Sequence, residues 1–259
     1  MTNRARLVLA LSVGLALGCT SSTPGSTPVD AGVEEEEPRT YAPISLFGQI
    51  TELTYGVAPP AQPTPLADVE VCAADRSDVP CVRTDAKGEY TLSRLPAKTD
   101  VAVTYSKPGY HGAVVEFTSP PISGVMFISL GSDATIDKVA RAAALDWPSP
   151  TTGVIVFRAS GGGQGAPLPD VSARMTPAAG KGAVFAAAGD AGASIDPSLA
   201  KTSIEGWGLF GNVPVGHVEL TFTHPARSCT RNNKGWPSTT ATMRARVFAN
   251  RVVYLFITC

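Results

Sequence analysis

The chain of 259 residues is poor in the side chains on which many catalytic and nucleic-acid-binding sites depend. It has three histidines, and only 17% of its residues are charged. Lys and Arg number 21 against 22 Asp and Glu, without a basic stripe, so we expect no nucleic-acid partner. Metal sites usually draw on clustered His and Cys, and none here has ligand spacing. We therefore expect neither a metal site nor a cofactor.

Sequence motifs of common enzymes are also missing. No Gly-x-Ser-x-Gly elbow occurs, and the glycine run at 161–165 lacks the Lys and Ser/Thr of a phosphate loop. The histidines, His111, His217 and His224, are not paired, and we expect them at turns or on the surface. The sequence therefore predicts a protein with no catalytic residues. An exported hydrolase or oxygenase of unfamiliar type is the alternative, and a cleft with convergent titratable groups would indicate it.

The first 18 residues have the pattern of a secretory signal peptide. Arg4 and Arg6 supply the positive segment, and residues 7–18 are apolar. A membrane-spanning helix needs roughly 20 apolar residues, so this segment is too short to be one. The pattern therefore predicts export of the chain.

The segment 15–19, Leu-Ala-Leu-Gly-Cys, resembles the lipobox of bacterial lipoproteins. The resemblance implies that Cys19 carries the lipid and holds the chain on a membrane, which several acyl chains on one residue do stably. In lipoproteins of Gram-negative bacteria, Asp after the Cys usually marks retention at the inner membrane. Thr20 stands there in this chain, which implies the outer membrane. An ordinary secretory signal, cleaved at a small residue, is the alternative.

Residues 20–43 follow as a tether rich in Ser, Thr, Pro and acidic side chains. They offer almost nothing that could build a core, so we expect a disordered, extended spacer. The acidic run 34–37 is expected to be solvated, and a cation site is the alternative reading.

Cysteine usage predicts two disulfides. If Cys19 is lipidated, four cysteines remain, and an exported protein sits in an oxidising compartment where pairing is the default. Four thiols allow three connectivities. Proximity along the sequence favours Cys72–Cys81 and Cys229–Cys259, one pair in each half of the chain.

The chain contains an internal repeat. Residues 84–96 align with 202–214 without a gap, and Thr, Gly and Pro coincide. Further segments match in the same order: 65–69 with 167–171, 101–105 with 218–222, and 125–130 with 252–257. Similar elements in the same order predict two copies of one domain.

Each copy reads as a set of short β-strands. Apolar and polar residues alternate in segments such as 69–71 and 220–222, and 85–88 is a hairpin signal. This pattern predicts an all-β fold made of antiparallel sandwiches. The second copy is longer around 178–201, where we expect an extra strand or packed loop, with a ligand-binding loop as the alternative. Between the copies, apolar residues at helical spacing in 132–146 predict a short helix.

The motifs resemble the carboxypeptidase regulatory-like domain. They are Pro-Leu-x-Asp-Val, then Thr-Asp-x-x-Gly-x-Tyr-x-Leu-x-x-Leu-Pro, then Lys107–Tyr110. The resemblance implies two tandem transthyretin-like β-sandwiches, the second divergent, and a non-catalytic exported adhesion, recognition or spacer module. The predicted organisation is a signal peptide at 1–18, the lipidated Cys and tether at 19–43, a sandwich at 44–131, a helical linker at 132–149 and a second sandwich at 150–259.

Trp236 is the candidate ligand contact, because it lies in a polar stretch and an exposed Trp can stack on a sugar or anchor a protein. Packing of Trp236 over the Cys229–Cys259 bridge is the favoured alternative. Trp147 and Trp207 are expected to be packing residues. The predicted function is a protein-interaction or structural module of the cell envelope, with an envelope protein or a glycan as partner. A carbohydrate-binding surface lipoprotein is the second hypothesis.

Overall fold

The computed structural model describes residues 41–56, 62–162, 165–178, 180, 182–188, 193–231 and 242–259. These residues belong to one compact unit, Thr40–Cys259. The signal peptide, Cys19 and the acidic run of the tether lie outside the described residues, as does Trp236. The predictions made for them therefore stay predictions.

The described chain is built of β-strands with one helix, which confirms the all-β class. The first half contains β1 (Ile44–Glu52), β2 (Glu70–Ala73), β3 (Val82–Arg83), β4 (Glu89–Leu95), β5 (Asp100–Lys107), β6 (Tyr110–Thr118) and β7 (Gly124–Leu130). Helix α1 (Asp133–Ala142) follows. The second half contains β8 (Thr152–Gly161), β9 (Ala166–Pro167), β10 (Ser172–Thr176), β11 (Ala183–Ala187), β12 (Ser194–Asp196), β13 (Trp207–Pro214), β14 (Gly216–Thr223), β15 (Thr230–Arg231), β16 (Met243–Val247) and β17 (Arg251–Thr258).

The strand order of the first half recurs in the second. In the first half β1 pairs antiparallel with β4 and parallel with β7, while β5 joins β2 to β6. In the second half β8 pairs antiparallel with β13 and parallel with β17, while β14 joins β10 to β16. Strands β11 and β12 extend the β13 edge, and they occupy the segment where the sequence predicts an insertion.

The aligned threonines make the same buried hydrogen bonds in both halves. The Thr84 hydroxyl accepts from the Val69 amide at 2.9 Å and donates to the Leu66 carbonyl at 2.6 Å. The Thr202 hydroxyl accepts from the Val171 amide at 3.0 Å and donates to the Leu168 carbonyl at 2.8 Å. Both hydroxyls thus satisfy backbone groups that would otherwise be buried without partners, which explains why Thr recurs in the repeat.

The aligned glycines also have one structural reason. Gly88 and Gly206 have φ of +74° and +68°, a region that favours glycine. The Gly88 carbonyl accepts from the Ile50 amide and that of Gly206 from the Ala159 amide, each at 2.8 Å. A side chain at either glycine would collide with the carbonyl of that same partner residue.

The two halves share a sheet instead of being held apart by a linker. Strands β6 and β17 pair in parallel, Gly112 opposite Arg251 and Val115 opposite Tyr254. One eleven-stranded sheet therefore runs from β3 to β12 through both halves. The β4-β1-β7 sheet covers the first-half part of this sheet on one side, and the β10-β14-β16 sheet covers the second-half part on the other. The result is three stepped layers with two main cores.

Helix α1 packs against the outer face of the second-half part of the large sheet. The Ser132 hydroxyl caps the helix by accepting from the Thr135 amide at 3.3 Å, as Ser at this position commonly does. Ile136 and Ala140 are its buried residues. Nearby, Ala143 forms a small cluster with Val154 and Leu209, and these contacts fix the segment between the halves against the sheet.

Both predicted disulfides are confirmed. Cys72 is bonded to Cys81 and Cys229 to Cys259. Each bridge continues the register of a strand pair, β2 with β3 in the first case and β15 with β17 in the second. The bridges therefore close the short strands β3 and β15 onto the sheet.

Candidate interaction surface

Strand β7 is an edge strand with exposed apolar side chains. It pairs with β1, and among the described residues no strand pairs with its far side. Val125 is 65% exposed and Phe127 68% exposed, and Ile122 just before the strand is 72% exposed. Phe47 lies opposite Val125 in β1 and is also exposed. Exposed edges of this kind are templates for pairing with another strand, so the combination makes this edge the candidate interaction surface.

The backbone of β7 offers hydrogen-bonding groups on its free side. The Leu130 carbonyl faces β1, since it accepts from the Leu53 amide at 2.9 Å. The Ser129 carbonyl faces the opposite way and accepts from the Tyr254 hydroxyl at 3.0 Å. Backbone groups of alternate residues in a strand point to the same edge. Val125 and Phe127 therefore direct their amides and carbonyls to the side away from β1.

A groove runs along this edge, which we call the corner groove. It lies in the corner between β7 and the outer face of the large sheet and has a volume of about 340 Å³. Its lining includes Phe127, Arg158, Trp207, Tyr254 and Phe256. Four aromatic side chains thus line the groove, and such side chains are prominent in the energetics of protein interfaces.

Arg158 is the cation of the corner groove. Its guanidinium lies 5.4 Å from the centre of the Trp207 ring, a cation–π distance. The two residues are opposite each other in the β8–β13 pair, which holds them on the same face of the sheet. The Arg158 Nε is buried and lacks a hydrogen-bond partner within the described part of the chain. The side chain as a whole is partly exposed and lines the groove, so an acceptor that enters the groove can pair with the guanidinium.

The counterpart of β7 in the second half shows what such an edge can hold. Strand β17 has the same position as β7, parallel to the first strand of its half. Its outer edge is covered by β6 over Arg251–Tyr254 and by β15 at Ile257 and Thr258. The outer edge of β17, which corresponds to the outer edge of β7, is therefore paired with other strands of the same chain.

A second, polar cleft lies where α1 meets β6, and His111 is one of the residues that line it. The prediction that His111 is a surface or turn residue is wrong, since it lies in β6 and its side chain is 9% exposed. The Trp147 indole donates to the His111 Nδ1 at 3.2 Å, and the His111 Nε2 lies 3.6 Å from Asp133. Burial lowers the pKa of His111, against the opposing charges of Asp133 and Asp137. The imidazole is thus a neutral packing group.

The other charged groups of the polar cleft are mostly engaged. Arg83 lies 3.4 Å from Glu70, and the Lys107 ammonium donates to the Ala67 carbonyl at 2.8 Å. Two cations of the cleft are thus paired with acceptors inside the first half.

An apolar cavity of about 160 Å³ lies beneath α1. Its walls include Val139 of the helix, Trp147 after it, and Trp207 and Tyr254 of the large sheet. Trp147 and Trp207 are thus half-buried packing residues at the junction of the two halves.

Among the described residues, no group of three or more His, Cys, Asp and Glu side chains is arranged to hold a metal ion. No helix in the same part of the chain has the length and apolar character needed to cross a membrane.

Sequence reasoning did not find the surface on β7. The run 125–130 reads as a strand, but nothing local shows that its first residues lack a covering layer. The alternation of Val125 and Phe127 with buried Ile128 is equally compatible with a strand buried on both faces. The outer edge of β17 pairs with β6 of the first half, whereas no described strand pairs with the outer edge of β7. This difference between the two strands is a long-range property of the fold.

Comparison with known proteins returns distant structural likenesses. No protein-family model matches the chain, and no curated protein matches it. One similar solved structure is GBS52, the minor pilin of Streptococcus agalactiae, with 10% identity over 83% of this chain and 94% of that one and a TM-score of 0.28. The shaft pilin SpaA of Lactobacillus rhamnosus GG has 9% identity over 83% and 97%, with a TM-score of 0.26. The TIE protein of Bacillus anthracis has 14% identity over 84% and 34%, with a TM-score of 0.24. Values this low carry no argument about function.

Proposed function

We propose that this chain is a non-catalytic, lipid-anchored module of the cell envelope that binds another protein through β7 and the corner groove. The observation that carries the proposal is the outer edge of β7, with which no strand of the described residues pairs and on which Val125 and Phe127 are exposed. Natural proteins usually protect such edges with charges, prolines or covering segments. An edge left apolar is therefore best explained by a partner that covers it.

The architecture within this proposal is two tandem sandwiches of the carboxypeptidase regulatory-like, transthyretin-like type, with 132–149 as the segment between them. Its support is the recurrence of one strand order in both halves. The matched hydrogen bonds of Thr84 and Thr202 add residue-level support, because they tie the same repeat positions to the same backbone groups.

Anchoring through Cys19 and residence at the outer membrane rest on the lipobox resemblance and on Thr20. The two disulfides are compatible with export, since such bonds persist in oxidising compartments. The carbohydrate-binding hypothesis rests on Trp236, and no observation on the described residues favours it.

Affinity capture from detergent-solubilised native envelope tests the proposal. The full-length tagged chain is compared with a V125K/F127K variant, whose charges should block the edge without touching the core. Ile204→Lys is the control, because Ile204 is another exposed apolar residue, 68% exposed and outside both β7 and the lining of the corner groove. A stoichiometric partner retained by wild type and the control but lost in V125K/F127K supports the proposal. Equal recovery with all three chains would contradict it.

Fractionation of a Cys19→Ala variant tests the anchor separately. The proposal predicts that this variant leaves the membrane fraction for the soluble one. Equal membrane retention of the variant would contradict lipid anchoring and leave the interaction surface unaffected.

A further inference from the structure

The large sheet lies directly below the space beside β7, so an added strand can enter there but a second sheet beneath that strand cannot. Strand β17 lies in the layer below, close enough for Tyr254 to bond to the Ser129 carbonyl, and it continues the sheet that β6 begins. Face-to-face sheets are roughly 10 Å apart. A folded sandwich that paired with β7 and kept its second sheet on the same side as the large sheet would therefore push that second sheet into β17 and β8. This geometry disfavours a second copy of the chain docked side by side with its layers level.

A lipid surface is also a poor occupant. The outward amides and carbonyls of Val125 and Phe127 would have no hydrogen-bond partner in hydrocarbon, which is strongly unfavourable for each group. A polypeptide strand supplies those partners and covers the two exposed side chains as well. Backbone pairing and apolar burial thus favour the same kind of occupant.

The side walls of the groove define the chemistry of that strand. Trp207 and Phe256 lie on the large sheet, on one side of the added strand, and call for apolar side chains at alternate positions of the occupant, since alternate side chains of a strand face the same way. Arg158, stacked on Trp207 on the same face of that sheet, calls for a carboxylate among them. A guanidinium binds a carboxylate through two parallel hydrogen bonds, which an ammonium cannot match.

We propose that the corner groove binds a single extended segment of a partner protein, added to β7 as a further strand. The segment has apolar residues at alternate positions and an Asp or Glu that pairs with Arg158. This inference rests on the proposed function and names the form of its partner.

Selection of a random twelve-residue linear peptide library on the full-length chain in detergent tests it. Enriched peptides should alternate apolar residues and contain an acidic one, and synthetic versions should slow hydrogen exchange of the Val125 and Phe127 amides about tenfold or more. Methylation of the backbone nitrogens that face β7 should abolish binding. Arg158→Gln should weaken binding about tenfold, and Arg158→Lys should recover only part of it.

The outcomes separate this inference from the proposed function. Enriched peptides that leave both amides exchanging at the free rate would overturn it, as would no enrichment over a V125K/F127K control chain. If the native partner is still lost in V125K/F127K while linear peptides fail, the interaction surface stands and the extended-strand inference falls. Thermal unfolding of each variant confirms that lost binding is not lost folding.

Discussion

The carboxylate of Glu116, in β6 of the first half, accepts a hydrogen bond from the backbone amide of Arg246, in β16 of the second half, at 2.9 Å. The Arg246 Nε lies 3.3 Å from the same carboxylate, whose residue is fully buried. Arg246 also pairs with Asp75 in the first half. A charge network therefore crosses the junction of the halves beside the β6–β17 strand pair. Because Glu116 and Asp75 belong to the first half and Arg246 belongs to the second, this network helps to fix the position of one half relative to the other.

Removal of the Glu116 carboxylate should destabilise the whole unit. Glu116→Ala leaves the Arg246 amide and guanidinium without their buried partner, and we expect a loss of about 3–5 kcal/mol in the free energy of unfolding. Glu116→Gln is the matched control, since it keeps an acceptor of similar shape and should cost less. Chemical denaturation of both variants checks this. Equal stability of Glu116→Ala and wild type would show that the network contributes nothing to the free energy of unfolding.

The repeated threonines should contribute alike in the two halves. Thr84→Val and Thr202→Val keep the side-chain shape but remove a hydroxyl that serves two buried backbone groups. We expect each variant to lose about 1–3 kcal/mol in the free energy of unfolding. The controls Thr84→Ser and Thr202→Ser keep the hydroxyl and should lose less. A large effect at one position with none at the other would contradict equivalent roles.

Stability should fall in mild acid because of His111. Burial holds the pKa of His111 below its ordinary value near 6.5, so the unfolded chain binds this proton more readily than the folded chain does. The contribution of the neutral imidazole is complete above about pH 6.5 and is lost as the pH falls from there toward the lower folded pKa. Unfolding free energies between pH 8 and pH 5 measure this loss. His111→Gln, which does not titrate, should show a weaker pH dependence, and an unchanged profile would rule His111 out.

The disulfides should stabilise the two halves by different amounts. The cysteines of the Cys72–Cys81 bridge are 9 residues apart, and those of Cys229–Cys259 are 30 apart. Loop-closure entropy predicts about 2.7 kcal/mol for the first bridge and about 3.7 kcal/mol for the second. Thermal unfolding of the variants C72S/C81S and C229S/C259S tests the order. A larger loss for the short loop would mean that strain or residual structure outweighs chain entropy.

Much of the fold could be predicted from the sequence because its signals are local. Alternating apolar residues indicate strands, and Gly88 and Gly206 mark turns that need a positive φ. The cysteine pairing follows from proximity. The repeat is visible in the sequence because Thr84 and Thr202 make the same buried hydrogen bonds to the backbone in the two halves.

The junction of the halves could not be predicted in this way. Pairing of β6 with β17 joins residues about 140 positions apart, such as Val115 and Tyr254, and no turn or spacing in the sequence signals it. The candidate site depends on that junction, since the corner groove exists only where β7 stands over β17. Arg158 and Phe127 are distant in sequence and become neighbours through tertiary structure alone. The burial of His111 could not be predicted either, because Trp147 and α1, which cover it, come from another part of the chain.

If a partner protein covers β7 in the envelope, site-specific photo-crosslinking in intact cells should capture it. A benzophenone amino acid is placed at Phe127 or, as control, at Ile204. Both positions are 68% exposed, so the two probes are equally accessible in the isolated protein. We expect one discrete crosslinked protein band from position 127 and none from position 204. No crosslink at position 127, or the same products from both positions, would contradict it.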